Sequence, residues 1–229
     1  MSRKKWLTLA AGLFTCICII AIGSVAVLIF RPSLLNPFMP TYEYEITPSA
    51  YEGFSHHTLT RGSLTYESDY TEYGLSTGGN DHQIGQTPMG GRLIEISGQP
   101  DYVVLFDFMS PIAVFRKSGT PPFNWRTIDF NEMHLYQIGV AGTAPLTSTD
   151  ANLIRETLEP LREGNSITAL DQVDAGYQSY YLNLYSDQLQ GMWYIIGVYK
   201  DTNGEVYVAE NTFSKEWFPA SKTFSDWIK

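Results

Sequence analysis

The chain has 229 residues, 24 of them acidic and 15 basic, and 14% are aromatic. Beyond Arg31 only 11 basic residues face all 24 acidic ones, a net charge of −13. That charge speaks against a nucleic-acid binder and repels anionic lipid headgroups and wall polymers. Residues 32–229 suffice for one large domain or two small ones and contain no cysteine, so an ordinary core rather than a disulfide framework must hold them.

Arg3, Lys4 and Lys5 precede 25 uncharged residues, 6–30, and Arg31 follows them. About 20 apolar residues cross a bilayer core as a helix, and three basic residues before the run against one after it keep the N-terminus inside. The organisation expected is a cytoplasmic tail at 1–5, a transmembrane signal-anchor at 6–30, an extracytoplasmic stalk at 31–57 and an extracytoplasmic β-rich domain at 58–229. A cleaved signal is the alternative, since Ala21-Ile22-Gly23 and Ser24-Val25-Ala26 place small residues where a peptidase reads. Against it, the apolar run exceeds the roughly 7–15 residues of a signal peptide. Cys16 follows Thr15 and Cys18 follows Ile17, neither a lipid-attachment context, so both read as small hydrophobes of the span. The lack of ectodomain cysteine and of any Asn-x-Ser/Thr acceptor fits a bacterial surface protein.

The stretch 31–57 carries four prolines and no helical period, which favours extended backbone, with "YEYEI" as a short alternating strand. Residues 58–75 read both ways: Tyr66, Tyr70 and Tyr73 are spaced as on a helix, yet Thr and Tyr favour strands. Gly and Pro then cut the chain into β runs: "RLIEIS" alternates, "DYVVLFDF" is nearly continuous apolar as in a strand buried on both faces, "PIAVFRK" follows, and "NEMHLYQIG" is a weaker fourth. One main helix is expected over about 149–162. Ser148 or Thr149 would cap it, Asp150 would lie in its first turn, Leu153, Ile154, Leu158 and Leu161 would form its apolar face, and Gly164 would end it. A C-terminal β-meander follows from "SYYLNLYS", "GMWYIIGVYK" and "VYVAEN", with a hairpin at Asn203-Gly204. The fold class is α+β, mainly antiparallel β, with the helix packed on the meander.

No catalytic, cofactor-binding or metal-ligating residue is assigned. His56 and His57 are adjacent and point apart in an extended chain; a zinc site from His57, Asp81 and His82 is outweighed by the reading of surface histidines. Asp101 and Asp107 would stand about 20 Å apart along a strand, too far for a glycosidase pair. Ser110 and Ser186 read as turn residues. "KDTNGE" lacks the ligand spacing of a calcium loop and reads as a hairpin. The ectodomain's fifteen tyrosines and four tryptophans fit strand faces better than an interface, although both uses are physical. By exclusion, the expectation is a single-pass, membrane-anchored extracytoplasmic domain that binds or senses a ligand without catalysis, with a basic protein or peptide as partner. The alternatives are an envelope hydrolase whose site is invisible in sequence and an immunity factor against a cationic toxin. A deep pocket with converging polar groups would favour the enzyme, a flat aromatic patch the binder.

Overall fold

The computed structural model describes residues 37–51, 53–78, 82–106, 113–139, 144–164, 178–212, 214 and 216–229. The expected membrane span lies outside them, and among the described residues no helix is long and apolar enough to cross a membrane. The first half holds strands β1 (Glu43–Pro48), β2 (Ser55–Arg61), β3 (Leu64–Ser68), β4 (Leu75–Thr77), β5 (Gln83–Gln86), β6 (Arg92–Ile96), β7 (Gln99–Phe106) and β8 (Ala113–Lys117). The second half holds β9 (Glu132–Gln137), β10 (Leu146–Ser148), helix α1 (Ala151–Glu163), β11 (Gln178–Tyr185), β12 (Met192–Lys200), β13 (Val206–Ala209), β14 (Phe218–Pro219) and helix α2 (Lys222–Trp227). Antiparallel sheet with two described helices is the class expected from the sequence.

Seven strands form one sheet in the order β1-β2-β3-β8-β7-β6-β5. The chain entering β1 then returns to the far edge: Thr41 bridges Gln86 in parallel, Tyr42 N–H donates to Gln86 O at 2.8 Å, and Gln86 N–H donates to Pro40 O at 2.8 Å. The two edges of the sheet thus meet at one bridge beside the start of β1, while β1 itself pairs only with β2. Closure needs Gly85, because a Cβ there would sit 2.5 Å from the Tyr42 ring. Inside lie Tyr42, Leu59, Tyr66, Leu93, Val103, Leu105 and Phe115. The span 40–57 is therefore not a free stalk from Pro40 onward: Tyr42 is in the barrel core and β1 is a barrel stave. Of its prolines, Pro40 precedes the strand and Pro48 ends it, and only the alternation of "YEYEI" signalled the strand.

The second sheet runs β10-β9-β11-β12-β13-β14, with β4 beside β12. Its inner face, including Leu135, Leu182, Ile196 and Val208, packs on the outside of the barrel through Ile94, Ile96, Val104 and Val114, and under Leu153, Ile154, Leu158 and Leu161 of α1. β7 consequently buries Val103 and Leu105 inward and Val104 outward, the two-faced burial that its continuous apolar run implied; residues 107 and 108 of that run lie outside the described residues. β9, read from sequence as a weak fourth member of the first group, belongs instead to the second sheet between β10 and β11. Alternation specifies a strand but not its partner.

Asp150, not Ser148 or Thr149, caps α1, its carboxylate accepting from the N–H groups of Asn152 and Leu153. The meander β11-β12-β13 forms as expected. At its hairpin Asp201 O accepts from Gly204 N–H at 3.1 Å and Asp201 Oδ1 accepts from Asn203 and Glu205 N–H. Only Gly204 has positive φ, at 85°, so the connection is a five-residue loop with a left-handed glycine rather than a two-residue turn with both central residues left-handed. A Cβ at Gly204 would meet nothing within 4 Å. Gly204→Val should therefore cost about 1 kcal/mol through backbone strain alone; an unchanged urea midpoint would contradict this.

Candidate binding pocket

A cavity of about 460 Å³ opens where the barrel meets the second sheet, within the size range of small-molecule sites. One wall comes from the loop before β2 and the 3-10 turn Tyr70–Glu72. Asp69 caps that turn, accepting from Tyr70 N–H at 2.8 Å and from Ser49 Oγ, while Ser49 Oγ accepts from Tyr51 N–H at 3.0 Å. This brings Tyr51 face to face with Tyr70, ring centroids 4.8 Å apart, with Phe54 edge-on to Tyr70 at 4.8 Å. The opposite wall is Phe123 to Arg126. Asn124 caps a 3-10 turn at Trp125–Thr127, and Trp125 stacks on Tyr194 of β12. Glu72 joins the walls: its Oε1 accepts from Phe123 N–H at 3.2 Å and its Oε2 from Asp69 N–H at 3.1 Å.

Glu210, just after β13, closes the pocket. Its Oε2 accepts from Tyr70 Oη at 2.8 Å, and its Oε1 accepts from Trp125 Nε1 at 2.5 Å and from an Arg126 NH1 proton at 2.9 Å. Its backbone carbonyl accepts from Tyr194 Oη at 2.7 Å. Both carboxylate oxygens are thus committed to donors of the pocket wall. The Arg126 guanidinium lies over the Trp125 ring at 4.5 Å and Arg162 at 5.8 Å. A second Arg126 donor, NH2, reaches Leu161 O at 3.4 Å, and with the side chain 46% exposed the rest of its fork is open to the cavity and solvent. Burial and then the Glu210 hydrogen bond raise the Tyr70 phenol well above its ordinary range, and burial does the same for Tyr194. Both remain neutral hydrogen-bond donors at ordinary pH.

Behind the tyrosine wall stands His57. Tyr73 Oη donates to Ser55 O at 3.1 Å, so His57 Nε2 donates to Tyr73 Oη at 3.0 Å and Nδ1 accepts from Tyr44 Oη at 2.6 Å. In the neutral ring this places the proton on Nε2. Burial first, then the neighbouring His56, lowers the His57 pKa from 6.5, with Asp69 opposing. Because the folded pKa lies below the unfolded one, His57 contributes stability that is complete above about pH 6.5 and is lost as the pH falls through that value toward the folded pKa. Urea midpoints should fall on acidification, and the fall should be smaller in His57→Gln; an equal fall in both would assign the effect elsewhere.

The remaining histidines are paired: His56 with Asp69 at 3.2 Å, His82 with Glu95 at 2.7 Å and His134 with Glu132 at 2.7 Å. Among the described residues no group of three or more His, Cys, Asp or Glu is placed to hold a metal. Asp81 and Asp107, weighed from sequence with His57, His82 and Asp101, lie outside the described residues, as does Ser110. Ser186 caps a 3-10 turn, accepting from Gln188 N–H and donating to Asp129 O. An aromatic cluster also lies on the outside of the second sheet, where His134 is 4.6 Å from Tyr185, Tyr185 is 5.8 Å from Trp193, and Tyr181 is exposed beside them.

Tyr51, Tyr70, Trp125, Arg126 and Glu210 carried no local signal. Glu210 meets Tyr70 across 140 residues and Trp125 across 85; the surplus of tyrosine was the one compositional hint. Compared with known protein families, curated proteins and solved structures, the chain matches none.

Proposed function

We propose that the chain is a single-pass, membrane-tethered extracytoplasmic binding module whose ligand sits in the Tyr51–Tyr70–Arg126 pocket. The tether rests on the uncharged run 6–30 between Arg3, Lys4, Lys5 and Arg31. One observation favours binding over hydrolysis: the carboxylate in the pocket has three donors on its two oxygens. A general acid or base must exchange a proton with substrate, whereas Glu210 serves to lock Tyr70, Trp125 and Arg126 in place. What faces the cavity is aromatic surface and part of a guanidinium, a composition suited to recognition.

The test compares the full chain with Tyr51→Ala and Arg126→Gln, both at exposed positions, for retention of components from an envelope extract. Wild type should retain a component that both variants lose, while their urea midpoints stay within about 0.5 kcal/mol of wild type. Retention by the variants would move the site elsewhere, and turnover of an envelope polymer by the wild-type chain would replace binding with catalysis.

A further inference from the structure

We infer that the ligand of this pocket is a neutral, hydroxyl-rich sugar unit; this rests on the reading of the pocket as a binding site. Its charges and donors exclude the other classes in turn. A cationic group, which the domain's net charge of −13 would attract from a distance, finds the face of Trp125 already occupied by the guanidiniums of Arg126 and Arg162. It would also have to displace Arg126 from Glu210, at 2.9 Å. An anionic group meets the opposite difficulty. It would compete with Glu210 for Arg126, the two being paired at 2.9 Å. The lining carries one guanidinium, Arg126, and one carboxylate, Glu210, already paired with each other inside an acidic surface, so neither sign gains. An apolar chain would cover the open N–H groups of Arg126 without satisfying them, and an unpaired buried donor costs more than it returns.

A sugar meets each requirement. Its C–H faces stack on aromatic rings, and Tyr51, 47% exposed and backed by Tyr70, offers one at the mouth. Its hydroxyls accept from the planar guanidinium that Glu210 and Trp125 hold in position. Little ordering cost falls on the protein, since both walls are already tied by Glu72 and Glu210.

The experiment titrates the full chain, in a sugar-free detergent, with maltotriose, cellotriose, mannotriose and chitotriose as neutral probes, trigalacturonate as the anionic one and decalysine as the cationic one. Tryptophan fluorescence and calorimetry report binding. At least one neutral trisaccharide should bind with an affinity insensitive to salt, trigalacturonate should bind at least about tenfold more weakly, and Tyr51→Ala and Arg126→Gln should each weaken the neutral probe about tenfold. Decalysine binding that Tyr51→Ala abolishes would overturn the sugar and keep the pocket. Trisaccharide binding that neither variant alters would overturn the pocket as the site. Failure of all four neutral probes at millimolar concentration would overturn the inference.

Discussion

Replacing Arg116 by methionine should cost about 3–5 kcal/mol of stability, read as an early urea midpoint. Arg116 projects from the outer face of β8, where Nε donates to Glu72 Oε1 at 3.0 Å and NH1 to Glu67 Oε1 at 2.8 Å, with a further bond to Thr120 O. The Glu72 side chain is fully buried. Methionine preserves much of the volume but removes the cation, leaving a carboxylate in the interior with only the N–H groups of Phe123 and Asp69. A stranded buried charge is costlier than the pair was beneficial, so the double variant Arg116→Met with Glu72→Gln should recover a large part of the loss. Equal losses in the single and double variants would assign the cost to packing instead. Glu72 also ties the Tyr70 turn to Phe123, so the single variant should weaken ligand binding as well as folding.

This ion pair shows where sequence reading stops. Glu72 and Arg116 are 44 residues apart, and nothing local distinguishes either from a solvated surface charge. Local periodicity did carry the strands: "SYYLNLYS" put Leu182 and Leu184 on the buried face of β11, and the run through Val103, Val104 and Leu105 marked burial on two faces. It did not carry partnership. β4, only three residues long, crosses from the barrel to sit beside β12, and Thr41 meets Gln86 through backbone bonds whose one side-chain requirement, Gly85, does not name the partner. The pocket was illegible for the same reason. Its members come from the loop before β2, the Tyr70 turn, the segment before β9, β12 and the chain after β13, and each alone is an ordinary aromatic or charged residue.

Phe115→Ala should be comparably severe, lowering stability by about 3–5 kcal/mol. Phe115 is the largest fully buried side chain of the chain's barrel core, facing Val103 across the β7–β8 pair and meeting the Tyr44 ring edge-on at 6.4 Å. The barrel cannot collapse readily onto the void, because Phe115 sits on β8, which is hydrogen-bonded to β7 and β3 on its two sides, so the cavity term adds to the lost transfer energy. The informative part is how the loss is seen. Trp125, Trp193, Trp217 and Trp227 all lie outside the barrel cluster, Trp125 within the core between barrel and second sheet and Trp227 packed against it. Strands β6 to β8 line both cores through opposite faces. If the shared strands make one cooperative unit, tryptophan fluorescence and far-ultraviolet circular dichroism should report one transition at the same lowered urea midpoint in Phe115→Ala. Fluorescence that kept the wild-type midpoint while the dichroism signal fell early would mean that the barrel opens on its own, and that the second sheet and its helices hold Trp125, and with it the pocket's far wall, without the barrel's interior.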